Sequence, residues 1–184
     1  MKYRFLHLFL LGLFFLSCSK EDRIIPIYEP GPMTFGWVEA KKNGVEFLAS
    51  CTAIANDQPP LEYFAIRFTT ETEEGFAREQ VTLNDIEYNP KTHSFGPYDE
   101  RYDSVVGASY STVTDDGDVL EDVYIWDGSA GDNSITITTV DTLNNIVKGN
   151  FTVSFVIKPG REKRNPDNPD KVTFSDAEFE ASFR

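Results

Sequence analysis

Histidine and cysteine are both scarce in this chain of 184 residues. It has two of each, and no CxxC pair, HExxH pattern or glycine-rich phosphate loop is present. His7 lies near the N-terminus, so His93 is the one histidine left for the body of the chain. These absences exclude multi-histidine metal sites, and they predict a protein without cofactor or enzymatic activity. We expect His93 to be solvated in a loop over residues 89–94.

A long apolar run is also missing. Residues 5–16 are almost entirely apolar, but about a dozen residues fall short of the ~20 that a membrane-spanning helix needs. Lys2 and Arg4 precede this run, as is typical of a signal peptide. We therefore expect residues 1–17 to be an export signal.

The junction after this run predicts a lipid anchor. Ser17 and Cys18 follow the apolar core, and the junction resembles a bacterial lipobox, in which the cysteine is acylated and becomes the first residue after cleavage. The resemblance implies that Cys18 carries lipid, whose buried methylenes, at ~0.8 kcal/mol each, hold the protein on the membrane. The alternative is an ordinary secretory leader that happens to end near a cysteine.

The residues after Cys18 indicate a destination. Ser19, Lys20, Glu21 and Asp22 resemble the lipoprotein export signal of Bacteroidota, in which a lysine and acidic residues follow the acylated cysteine. The resemblance implies an outer-membrane protein displayed at the cell surface. The alternative is a charged tether with no address function.

The chain is strongly acidic, with 17 basic and 30 acidic residues. Removal of Lys2 and Arg4 with the leader would leave 15 basic residues against 30 acidic ones. Such a chain repels nucleic acid and anionic lipid headgroups, so we expect neither as a partner.

The remaining thiol belongs to Cys51. If Cys18 carries lipid, Cys51 has no partner and no disulfide forms within the chain. It continues an alternation of apolar residues that is typical of a strand. We therefore expect a buried thiol. The alternating residues are Val45, Phe47, Ala49, Cys51 and Ala53.

Period-two alternation continues through the rest of the chain. Residues 18–33 are rich in proline and predict a flexible tether, whereas Asn43-Gly44 is a strong hairpin signal. No stretch keeps a helical period for three turns. We expect one domain over residues 34–184, an all-β antiparallel sandwich or flattened barrel of roughly eight to ten strands. The predicted strands cover residues 34–41, 45–54, 63–70, 80–86, 104–112, 119–126, 134–141, 146–158 and 172–184, with a bulge at Ser175-Asp176.

The C-terminal strands also carry a resemblance. The run Ile135-Thr136-Ile137-Thr138, followed by Asp141, Asn144, Ile146, Val147, Gly149, Phe151 and Phe155, is similar to a strand pair of an uncharacterised Bacteroidota lipoprotein family. The Asn43-Gly44 hairpin and the last strand fit the same layout. The resemblance implies an extracytoplasmic β-rich domain and supplies no catalytic residue.

Aromatic residues are candidates for ligand contact. Tyr98, Tyr102, Tyr110, Tyr124 and Trp126 are close in sequence, and a row of rings could stack against sugars or anchor a protein. The alternative is that Tyr124 and Trp126 pack in the core.

Two charged segments are further candidates. Asp115, Asp116 and Asp118 could bind Ca²⁺, or they could form a solvated hairpin tip, since turns favour Asp and Gly. Residues 159–171 hold the one basic cluster, a partner contact or a solvated connection. Its cations are Arg161, Lys163, Arg164 and Lys171.

Three classes of function remain open. A surface-displayed binding module for a glycan or protein ligand is favoured because no catalytic motif is present. A structural part of an envelope assembly would show an open sheet edge or a large apolar patch. A hydrolase would need clustered acids with raised pKa in a cleft.

Overall fold

The computed structural model describes residues 36–55, 63–96 and 106–184, and in these ranges the chain is all-β. The predicted lipidation and export residues Cys18, Ser19, Lys20, Glu21 and Asp22 lie outside this part. In the described ranges no helix has the length and apolar character to cross a membrane. The strands are β1 (Gly36–Lys42), β2 (Val45–Ala55), β3 (Tyr63–Glu71), β4 (Ala77–Glu87), β5 (Thr92–Gly96), β6 (Val106–Val113), β7 (Leu120–Trp126), β8 (Ser134–Asp141), β9 (Ile146–Ile157) and β10 (Lys171–Phe183).

The ten described strands form one sheet that closes on itself. A ring of pairings runs β2, β3, β4, β6, β7, β9, β10 and back to β2. β1 fits between β10 and β2, while β5 and β8 fit between β6 and β9. The pairs are antiparallel except β10 with β2 and β5 with β6. The expected all-β, mostly antiparallel fold is confirmed, and each described strand pairs with at least two others.

Alternation explains how the sheet makes its core. Successive side chains of a strand point to opposite faces, and on β9 Val147, Phe151, Val153 and Phe155 are buried. The expected bulge in β10 is confirmed, because its register against β9 shifts between Phe174 and Ala177. The buried faces of the strands meet in one apolar cluster inside the ring.

Four connections lie at the same end of the ring. The register places the β1–β2, β3–β4, β6–β7 and β9–β10 connections beside one another; this end is called the hairpin end. Gly36 pairs with Cys51 and so begins β1 at the opposite end. Gly36, the first described residue, therefore lies at the end away from the hairpins.

The expectation for His93 was wrong. This residue lies on β5, paired with Ile135 of β8, and is only 4% exposed. β5 has five residues and begins at Thr92, two residues after Pro90. Such a strand is too short to show a convincing alternation in the sequence. Cys51, by contrast, is buried as expected.

Candidate binding surface at the hairpin end

Two hairpin tips touch at the hairpin end. The β3–β4 and β6–β7 tips are neighbours because β4 pairs with β6. Gly117 has a positive φ of 76°, and a Cβ added to it would lie 3.0 Å from Cβ of Phe76. Glycine at this position therefore permits both the turn and the close approach of Phe76.

Exposed apolar side chains occupy these tips. Phe76 is 47% exposed, Val119 44% and Leu120 46%; the three are called the tip patch. Single exposed apolar residues are common, but several on adjoining turns are typical of a contact surface. Val45, at the neighbouring β1–β2 turn, is 70% exposed and extends the apolar character of this end.

Hydrogen bonds and one ion pair hold the two tips in position. The guanidinium of Arg78 donates to the Val113 carbonyl at 2.8 Å and pairs with the Asp115 carboxylate at 2.6 Å. The hydroxyl of Thr72 accepts from the Phe76 amide. The Arg78 contacts join β4 to the β6–β7 tip, and the Thr72 bond closes the short β3–β4 turn on which Phe76 lies.

The candidate calcium ligands lie in the β6–β7 tip. Asp116 accepts hydrogen bonds from the hydroxyl of Thr114 and the amide of Asp118. The Thr114 bond, followed by the Asp118 amide, lowers the pKa of the Asp116 carboxyl. Asp115 pairs with Arg78. Within the described ranges, no three His, Cys, Asp or Glu side chains are arranged to hold a metal ion. The structure thus gives Asp115 and Asp116 roles in the turn and in linking the tips.

A polar cluster lies just inside the hairpin end. The Lys42 ammonium donates to Glu79 at 2.7 Å, and the Tyr110 hydroxyl donates to the other oxygen of Glu79 at 3.1 Å. Nζ of Lys42 also lies 5.4 Å from the centre of the Tyr110 ring. Burial, with a smaller effect of Glu79, raises the pKa of Tyr110. Lys42, Glu79 and Tyr110 are thus partners of one another, and together they cover the hairpin end of the apolar core.

Asp122 fastens the β9–β10 connection to the hairpin end. This carboxylate is fully buried and accepts from the Asn168 side chain at 2.8 Å and the Arg164 amide at 2.8 Å. Burial raises its pKa, but the bonds from Asn168, Arg164 and Asn165 more than offset this, so the pKa lies below its usual value. The Tyr124 hydroxyl donates to the Pro169 carbonyl. The connection is therefore packed onto β7.

Two of the four cations of the basic cluster are paired with carboxylates. Lys163 pairs with Asp170, and Lys171 pairs with Asp127. Arg164 donates to the Leu120 carbonyl. These contacts explain three of the four cations by how the connection packs against the sheet, while Arg161 has no side-chain partner in the described ranges.

The predicted aromatic contacts divide between core and undescribed segments. Tyr124 is fully buried, and its ring packs 4.9 Å from the Tyr110 ring. The prediction of Tyr124 as a possible ligand contact is therefore corrected, because no face of its ring is exposed. Trp126 is half-buried against the core. Tyr98 and Tyr102 lie outside the described residues.

Comparison with protein-family models, with curated proteins and with solved structures finds no match for this chain. The arguments for function therefore rest on the chain's own residues. Sequence reasoning missed Phe76 and the burial of Asp122. Asp122 shares the phase of Tyr124 and Trp126 on β7, and this alternation was the one available signal that its carboxylate is buried.

Proposed function

We propose that this protein is a surface-displayed lipoprotein of the outer membrane, anchored through Cys18, whose β domain binds a partner without catalysis. The resemblance of residues 17–22 to a lipobox and export signal supports the location. The tip patch carries the binding proposal. Three exposed apolar side chains on two joined hairpins form the kind of surface that interaction sites use.

The direction of the chain supports this use of the hairpin end. Gly36 begins β1 at the end opposite the hairpins. A tether attached there leaves the tip patch away from its own attachment point. Most of the described strand length is paired with two neighbours, so little open edge is left for strand addition, the simplest route to an envelope assembly.

Two measurements on intact cells test the location. Cells are fed a tagged fatty acid, and the protein is then shaved with protease; Cys18→Ala is the control. We expect labelling that depends on Cys18 and loss of the labelled protein on shaving. Labelled but protected protein would contradict surface display.

Site-specific crosslinking tests the tip patch. Benzoylphenylalanine is introduced in place of Phe76, and in a matched control in place of Leu143, which is 92% exposed in the β8–β9 turn at the other end. We expect discrete adducts from the tip patch that disappear when Val119→Ser and Leu120→Ser are added. Equal adducts from both positions, or none from position 76, would contradict binding at this surface.

A further inference from the structure

Arg67 is the exception among the cations of the described strands. It is exposed on β3, and it has no hydrogen bond or ion pair within the described ranges. The other five strand cations each pair with a carboxylate within 3.1 Å. These pairs are Lys41 with Asp176, Lys42 with Glu79, Arg78 with Asp115, Lys148 with Glu180 and Lys171 with Asp127.

The surroundings of Arg67 explain why it is unpaired. Across the strands its neighbours are Thr52 on β2 and Thr82 on β4. Along its own strand, the positions on the same face are Ala65 and Thr69. None of these four side chains is acidic, although the chain has 30 acidic residues. The guanidinium therefore keeps all five donors for solvent or a ligand.

The same outer face offers further polar groups. The row through Arg67 continues from Thr82 to Ser109. The next row towards the hairpin end has hydroxyls and an amide, of which the Ser50 hydroxyl already donates to the Thr69 carbonyl. Asp85, in the bulge of β4 beside Ala65, forms no ion pair with Arg67. This next row holds Ser50, Thr69, Gln80 and Ser111.

An exposed indole stands at the start of that second row. Trp37 on β1 pairs in register with Ser50 and is 44% exposed. Its other neighbour, Glu180, is paired with Lys148. Trp37 lies two strands across and two residues along from Arg67, a separation of about 12 Å between their positions in the sheet. This face is called the Arg67 face.

Together, the groups of the Arg67 face are complementary to one class of ligand. An exposed indole stacks on the apolar face of a sugar ring, hydroxyls and amides bond to sugar hydroxyls, and a free guanidinium forms a fork that fits an anionic group. We propose that the Arg67 face binds an anionic glycan, with a ring against Trp37 and an acidic substituent against Arg67. A separation of about 12 Å requires an extended chain of sugars rather than a small anion.

The net negative charge of the domain does not prevent this contact. At physiological salt, charges more than about 8 Å apart are largely screened. The acidic substituent must therefore lie at Arg67, away from the carboxylates of Glu39 and Glu178, which share the outer face near Trp37. The Arg67 face lies on the side of the ring and does not include the tip patch, so this proposal can fail or succeed independently of binding at the hairpin end.

The test is titration of the full-length protein in detergent with defined polymers. Polygalacturonate supplies carboxylates, dextran sulfate supplies sulfates, dextran is neutral, and polyglutamate is an acidic chain without sugar. We expect at least one of the anionic glycans to bind and both dextran and polyglutamate to bind at least about 10-fold more weakly, as expected from the loss of one charge-assisted contact or of stacking. The better of the two anionic glycans identifies the acidic group.

Variants place the binding on the Arg67 face. Arg67→Gln should weaken it at least about 10-fold, and Trp37→Ala should weaken it for every glycan. Arg161→Gln is the matched control, because it removes the same charge from another guanidinium without a side-chain partner in the described ranges, and it should leave the affinity within about 2-fold.

Three outcomes would overturn the proposal. Wild-type protein that binds neither anionic glycan has no such site. Binding that Arg67→Gln leaves unchanged is located elsewhere. Equal binding of polyglutamate would identify an acidic protein segment as the partner instead. Loss of crosslinking at the tip patch would leave the proposal intact, since the two surfaces are separate.

Discussion

The carboxylate of Asp122 accepts a hydrogen bond of 2.8 Å from the side chain of Asn168, 46 residues further along the chain. This bond joins β7 to the β9–β10 connection inside the hairpin end. Asn168 also donates to the hydroxyl of Thr112 on β6. One buried carboxylate thereby fixes a connection of 13 residues, 158–170, that has no strand pairing of its own.

Substitution Asp122→Ala should release this connection. The change removes the acceptor of Asn168 and of the Arg164 amide, so we expect a loss of about 2–4 kcal/mol in the free energy of unfolding. Because its pKa is lowered, the contribution of Asp122 is present above pH 3.8 and is lost as pH falls further. Urea unfolding measures the loss of stability and its dependence on pH. Trypsin cleavage after Arg161 at neutral pH measures release of the connection. Asp167→Ala, exposed in the same connection, should change neither.

The pair formed by Lys42 and Glu79 should behave as a coupled unit. Both side chains are about a quarter exposed, at 23% and 25%. Glu79→Gln leaves Lys42 without a counter-charge and weakens the bond to Tyr110, so we expect a loss of about 1–2 kcal/mol. The double variant with Lys42→Met should cost less than the sum of the single variants. Additive urea-unfolding energies would show that the pair is not coupled.

The buried His93 should make stability depend on pH. Its Nε2 is buried without a partner; burial lowers its pKa, Lys91 lowers it further, and Glu87 acts in the opposite direction. The unfolded chain therefore binds a proton first as pH falls below 6.5, and stability is lost from that pH downward. Urea midpoints at pH 7.5 and 5 measure this loss.

The variant His93→Leu serves as the comparison. It replaces an unpartnered polar group with an apolar one, so we expect little cost at pH 7.5. Its midpoint should fall less between pH 7.5 and 5 than that of the wild type. Equal slopes would show that other groups dominate in this range.

Gly149 should tolerate no side chain. A Cβ at this position on β9 would lie 2.3 Å from the carbonyl oxygen of Thr136 and 2.8 Å from Cζ of Phe179. The strands would have to separate, and Gly149→Ala should cost about 3 kcal/mol in thermal or urea unfolding. Gly131→Ala, where a Cβ meets nothing within 4 Å, should stay within about 0.5 kcal/mol. Similar values for the two would contradict the close approach.

The Cys51 thiol should be inert in the folded protein. It is fully buried, and burial raises its pKa, so little thiolate forms at neutral pH. We expect labelling by a maleimide to be slower by at least about 100-fold than in urea, because reagent reaches the thiol only through opening of the fold. Rapid labelling without urea would show that β2 opens locally.

Much of the fold could be predicted from alternation alone. The strand over residues 134–141 was placed at its observed bounds, and the bulge at Ser175-Asp176 was located from the change of phase. Such signals are local, since each depends on residues two apart in one strand. β5 was not predicted, because five residues carry too little of this alternation. His93 was therefore expected in a loop instead of on a strand.

The candidate surfaces could not be predicted in the same way. Phe76 lies beside Gly117, about 40 residues away in the chain, because β4 pairs with β6. Arg67 is unpaired because β2 and β4 bring threonines beside it. Both facts depend on which strands are neighbours in the sheet. The local residue pattern of β3 does not predict which strands pair with it.

The sequence by itself determined that this is an acidic chain of alternating strands, because the period of two is a property of each extended segment. The tertiary structure alone decided which charges are buried, paired or left free. That decision needs the closed ring, since only the pairing of distant strands sets the neighbours that stabilise Asp122 and leave Arg67 without a carboxylate.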